Sequence, residues 1–164
     1  LQAGEADLAL GLVPGLEAGF YQQTLYPQDW VCLANAGHPR IGKTLTLRHY
    51  KGEAHIGIVA GTGAQLLADA LERHGMQRRI VLELPGFLGL GAIVSTTDLI
   101  ATLPRHIGQT LATMSALALH RCPVPIPPFD VKQHWHARYH QEPGNRWLRG
   151  VVATLFMQAR HGKR

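Results

Sequence analysis

Three histidines, His134, His136 and His140, fall within KQHWHARYHQEPGNRWLR (residues 132–149), set around Trp135 and Tyr139. Imidazoles this dense could hold a metal ion or move a proton. On an extended strand, alternation puts His134, His136 and His140 on one side and Trp135 and Tyr139 on the other. Same-face neighbours there lie about 7 Å apart, so one ion could bridge two of them. A zinc or iron centre also recruits Cys, Asp or Glu, and the neighbouring chain offers only Glu142. Three readings stand on these residues alone: a metal site, a strand of polar alternation whose Trp135 side packs inward, or one wall of a ligand pocket.

Two further stretches carry possible chemistry. In AHIGIVAGTGAQ (54–65) a strand, a glycine-rich turn and a helix start follow one another. Such a junction gathers backbone N–H groups and the positive end of a helix, where a carboxylate or phosphate can be held. The nucleotide patterns GxxxxGK[ST] and GxGxxG with its downstream acid are not there, so the glycines fit an ordinary βα turn equally well. In ELPGFLGLG (83–91), Phe87 and Leu88 at the start of a short helix would present apolar surface and N–H groups suited to a flat ring bearing a carboxylate. Core packing explains Phe87 as readily. Ser95, Thr96 and Asp98 sit in no nucleophile elbow, and no enzyme activity is expected.

These residues must be positioned by a soluble scaffold. The chain has 164 residues and 46% apolar content, enough for one compact unit or two small lobes. No run approaches the roughly 20 apolar residues of a membrane helix, and LQAGEADLAL has no basic region followed by an apolar core. There is no initiator Met, and LQAGEADLALGL reads as the end of a helix entering a buried strand, as if the chain begins inside a domain. Cys32 and Cys122 have neither CxxC nor Cys/His spacing, so two free thiols in a cytoplasmic protein are expected, with no structural zinc and no cofactor. The net charge is +5, but the basic residues are scattered. Their densest group, Arg160, His161, Lys163 and Arg164, reads as a solvated terminus.

Periodicity supplies the elements. Strands are expected at 29–35, 55–60, 78–84 and 98–104, with helices at 45–52, after GTG (61–63) up to Gly75, at 85–95 and at 105–114. Glycines 86, 89 and 91 each oppose helix by about 1 kcal/mol. The alternation β, α, β, α predicts a parallel or mixed sheet covered by helices on both faces. Outside it, 6–13 and 130–140 read as strands, 19–26 as a lead-out, and 144–159 as a helix packed through Trp147, Leu148 and Val151. CPVPIPPF (122–129), with four prolines, must be an extended connection. The chain therefore leaves one lobe (1–25), builds a second (26–125), and returns to the first (126–164).

The ordered set LQAGEADLALGL, VCLANAGHP, LGLGAIVSTTDLIATLP and the closing VKQHWHARYHQEPGNRWLR resembles the effector-binding domain of LysR-type transcriptional regulators. The resemblance is strongest to the branch regulating aromatic degradation and nodulation. It implies an α/β fold of the two-lobed, type 2 periplasmic-binding-protein kind with the first lobe incomplete, because the match starts about a third of the way into the domain. It also implies an effector cleft between lobes, walled by His55, Thr62, Phe87, Leu88, Trp135 and His136. His55 would donate to an aromatic acid, with Thr62 behind it; a core histidine bonded to backbone is the alternative. That branch often carries a histidine near the position of Gly86, and the glycine leaves room for a larger ligand. The implied partners are a small aromatic carboxylate, further copies of the chain, and promoter DNA reached through an N-terminal winged helix-turn-helix absent from this sequence. A solute-binding protein of a transport system shares the fold and is the alternative.

Overall fold

The computed structural model describes residues 1–16, 18–114 and 116–158, with only the backbone of Thr62, Met157 and Gln158. The basic cluster at 160–164 lies outside the described residues. Two compact units are present, Leu1–Pro27 with Phe129–Arg164, and Gln28–Pro128.

The larger unit is a five-stranded mixed sheet. Its strands are β3 (Trp30–Asn35), β4 (Ala54–Ile58), β5 (Arg79–Leu84), β6 (Ile100–Pro104) and β7 (Leu117–Arg121), in the order β5-β4-β6-β3-β7. Strand β4 runs parallel to β5 and β6, whereas β3 is antiparallel to β6 and β7. Strand β7 is not apparent from periodicity. LALHR shows no polar alternation, and it abuts the proline-rich connection; its strand character comes from pairing with β3.

Alternation along the strands builds two faces. Val31, Leu33, Ile56, Ala101 and Leu103 form one, and Leu90 and Val94 of helix α3 (Leu90–Ser95) complete a fully buried cluster with them. Helix α4 (Arg105–Met114) covers the same face so closely that a Cβ at Gly108 would lie 2.8 Å from Val31 Cγ2. Each fully buried Leu, Ile or Val side chain here contributes about 1.5–3 kcal/mol through removal from water. The opposite face carries Trp30, Cys32, His55, Ile100 and Thr102. Tyr50 of helix α1 (Leu47–Gly52) lies over it, with its hydroxyl 2.9 Å from Thr102 Oγ1. Helix α2 (Thr62–Arg73) buries Leu67, Ala70 and Leu71, spaced for one helical stripe.

Local chemistry explains the helix ends. Thr46 and His49 form a reciprocal capping box at the start of α1. Gly75, at φ +59°, turns the chain after α2 in a conformation that costs other residues a clash with Cβ. The expected helix over 85–95 is shorter: Gly89 takes a left-handed conformation, and helix begins only at Leu90.

The smaller unit has a three-stranded sheet, order β1-β8-β2, from β1 (Ala9–Gly11), β2 (Phe20–Gln28) and β8 (Phe129–His136). Helix α5 (Pro143–Gln158) follows. Three expectations change here. Residues 1–8 form turns rather than the end of a helix, and β1 is a short, partly exposed strand ended at Gly11. Residues 20–26, read as a lead-out with Gly19, belong to a long strand, whose Pro27 is tolerated because β2 is at the sheet edge. Trp147 does not pack down: it is 69% exposed, while Leu148 and Val151 are half-buried.

Candidate functional site

In the larger unit the carboxyl ends of the parallel strands β4, β5 and β6 fall at one edge of the sheet, the edge where ligands gather in open α/β folds. After β4 the chain passes through Val59, Ala60 and Gly61 into α2. After β5 it passes through 85–89 into α3. Val59 N–H donates to the Leu84 carbonyl at 3.0 Å and ties the two turns together. Gly61, at φ +89°, caps α2 without a side chain, so the positive end of a three-turn helix is presented by backbone alone. Val59, two residues before Gly61, is 56% exposed, and Leu88, in the turn after β5, is 98% exposed.

The four candidate residues of this unit occupy different depths. Leu88 is on the surface. Phe87 is half-buried and packs against the Val31–Leu103 core cluster, in the turn before α3 rather than at its start. Thr62 is the first residue of α2, and its side chain lies outside the described portion. His55 has no exposed surface; its Nε2 donates to the Tyr50 carbonyl at 2.7 Å, and the Tyr50 ring meets it edge-on at 4.6 Å. Burial pulls its pKa down to about 4, against the smaller opposing effect of the Tyr50 bond.

In the smaller unit the three histidines separate. His134 is buried, with Nε2 3.3 Å from the Gly11 carbonyl on the paired strand β1. His136 ends β8, and its Nδ1 accepts the Arg138 N–H at 3.1 Å. The extended reading over 130–140 fails after His136, where Ala137–Tyr139 make a 3-10 turn that swings His140 to the Trp135 side. There His140 Nδ1 accepts from Trp135 Nε1 at 3.1 Å, and its ring stacks on Tyr21 at 4.1 Å. Arg149 lies over the Trp135 ring at 4.3 Å from its centroid. Trp135 is thus 7% exposed in an aromatic and cationic stack, while His136 keeps partial exposure against Phe20. Among the described residues no group of three or more His, Cys, Asp or Glu is placed to hold a metal ion.

Several participants are invisible to local sequence reading. Tyr21 and Arg149 reach Trp135 only through strand pairing and the packing of α5, and Val59 is exposed only because β4 ends before it.

The model of the LysR substrate-binding domain matches residues 1–156. The chain belongs to that family. It is 36% identical over 160 residues to the HTH-type transcriptional activator NagR of Ralstonia sp, covering 97% of the chain and 53% of NagR. It is 37% identical over 157 residues to the HTH-type transcriptional activator NahR of Pseudomonas putida, covering 95% and 52% respectively. The LysR-type chain thus spans about half the length of these curated relatives. Among solved structures, the regulatory domain of MexT, a transcriptional activator in Pseudomonas aeruginosa, superposes with a TM-score of 0.79 at 27% identity. That likeness covers 95% of this LysR-type chain and 77% of the MexT one. The family is one of transcriptional regulators with a small-molecule-binding domain of the type 2 periplasmic-binding-protein fold. The transport-receptor reading is not favoured.

Proposed function

We propose that this LysR substrate-binding domain senses a small aromatic carboxylate, and that the regulator containing it changes promoter occupancy in response. The family match over residues 1–156 carries the reading. The turn-and-helix edge of the larger unit supports the carboxylate: the start of α2 offers backbone N–H groups at a positive helix end, and Val59 and Leu88 add apolar surface for a ring. Thr62 and Leu88 are the proposed direct contacts there. Phe87 shapes the turn from below, and His55 holds β4 against α1. In the smaller unit His136 is the proposed polar contact, with Trp135 fixing its strand from the opposite side.

A ligand redistributes the conformations of such a domain only by its differential affinity for them. The full regulator is proposed to act as a cytoplasmic homo-oligomer that contacts promoter DNA through a segment outside this sequence, without catalysing a reaction. Thermal unfolding against a panel of benzoate, salicylate and larger aryl carboxylates tests the ligand class. At least one should raise the midpoint, since binding to the folded state stabilises it by mass action. The shift should be lost in Leu88→Asp, whose unliganded midpoint should be unchanged because Leu88 is almost wholly exposed. No shift with any member at millimolar concentration would refute the aromatic carboxylate.

A further inference from the structure

Strand β7 closes one side of the five-stranded sheet and pairs only with β3. The phase of that ladder fixes which of its amides are used. Ala36 N–H donates to the Ala116 carbonyl at 3.1 Å, one step beyond the register pair Asn35 and Leu117. Hydrogen-bonded pairs alternate along an antiparallel ladder, so Ala118 and His120 bond to Ala34 and Cys32, and the N–H and C=O of Leu119 and Arg121 point away from β3. The other side of β3 has the complementary phase. Arg105 N–H donates to the Asp29 carbonyl at 2.8 Å, one step beyond Trp30 and Pro104, so Val31 and Leu33, opposite Arg121 and Leu119, bond to β6. Among the described residues, no further strand takes up the outward amides of β7.

Those amides border a cavity of about 440 Å³, which Lys43, Thr44 and Leu45 close from the loop before α1 and Pro123 and Pro125 close from the connection after β7. This volume falls in the range of small-molecule pockets. No Asp or Glu lines it. Lys43 and Arg121 are exposed and make no ion pair among the described residues, whereas Arg40 is paired with Glu53 and Asp98, and Arg105 with Asp29. Leu45 and the two prolines add apolar wall, and proline has no N–H with which to compete for an acceptor. By contrast, the cavity of about 540 Å³ at the end of α2 carries Glu72 as well as Arg78, so its charges can balance internally.

We propose that the open edge of β7 is a binding site for a small N-acyl amino acid. The ligand amide answers the outward N–H and C=O of Leu119 or Arg121 as a neighbouring strand would. Its carboxylate lies toward Lys43 and Arg121, where charge-assisted bonds are strongest. An apolar side chain covers Leu45 and the prolines. The site shares no residue with the turn-and-helix edge after β4 and does not depend on the aromatic carboxylate proposed there.

Titration of ¹⁵N-labelled protein with N-acetyl-leucine, followed by amide NMR, tests this. Saturable shifts should appear at millimolar concentration in Lys43–Leu45 and Leu119–Cys122, with the amide proton of Leu119 or Arg121 moving downfield as it gains an acceptor. N-acetyl-leucinamide, without the charge, and 4-methylpentanoate, without the amide, should each bind at least fivefold more weakly. Acetyl-Ala-Ala-Leu carries the same end on a longer chain and should bind at least threefold more weakly. Lys43→Gln and Arg121→Gln should each weaken N-acetyl-leucine at least fivefold with the fold unchanged, and Leu88→Asp should have no effect. The proposal is overturned if no saturable shift occurs at these amides, if either truncated probe binds as well as N-acetyl-leucine, if the tripeptide binds more tightly, or if both cation variants bind like wild type.

Discussion

His55 donates from Nε2 to the Tyr50 carbonyl at 2.7 Å, which leaves its Nδ1 buried without a hydrogen-bond partner. A carbonyl can only accept, so the neutral ring carries its proton on Nε2. Charging the ring would place a second proton on the enclosed Nδ1.

This geometry sets an acid limit on stability. The folded pKa of about 4 lies below the ordinary 6.5, so below 6.5 the unfolded chain takes up a proton that the folded one refuses. The contribution is fully present above pH 6.5, falls as pH drops toward 4, and totals roughly 3 kcal/mol. Glu53, lowered by its two bonds to Arg40, acts in the same direction below about 4.5. Denaturant melts of wild type and His55→Gln between pH 7 and pH 4 check this. The amide can still donate to Tyr50, and the fall in stability over that window should be much shallower.

Gly108→Ala should destabilise the larger unit, although alanine is the better helix former by about 1 kcal/mol. The added methyl would lie 2.8 Å from Val31 Cγ2 and 2.9 Å from Leu119 Cδ2. Overpacking of this kind costs about 1–3 kcal/mol, so the balance is a net loss measurable by urea unfolding. Gly150→Ala, where a Cβ meets nothing within 4 Å, should be neutral or stabilising.

Arg149 braces the smaller unit. Its guanidinium lies over Trp135, donates to Asn145 Oδ1 at 2.6 Å and to the His140 carbonyl at 3.1 Å. Arg149→Ala should cost about 1–2 kcal/mol, from one cation–π contact and two partly exposed bonds. Arg149→Lys should recover only part of this, because an ammonium cannot stack and fork at once. Thermal unfolding of both variants measures the difference.

Trp147→Ser should leave stability within about 0.5 kcal/mol of wild type, since the indole is 69% exposed. Trp135→Ser should be severely destabilising. The pair of melts separates the two tryptophans that look alike in the sequence.

Much of the larger unit was legible in the chain because its signals are local. The run from Trp30 to Asn35, the stripe Leu67, Ala70, Leu71 stopped by Gly75, and the segment Arg105–Met114 each carry their periodicity and punctuation within a dozen residues. Strand β7 and the full length of β2 were not legible, because pairing partners far along the chain decide them. Leu117–Arg121 becomes a strand by hydrogen bonding to β3, and Pro27 is accepted only because β2 lies at an edge.

The same division holds for the side chains. Residue types and order determined the family, the α/β class and the turn-and-helix edge after β4, since these depend on neighbours in sequence. Only the tertiary structure decided that His140 joins Trp135 and Tyr21 instead of His134, and that His55 points into a buried core. Burial and partner choice are properties of what packs across the sheet. A short 3-10 turn after His136 was enough to send one imidazole to the opposite side and dissolve an apparent metal cluster.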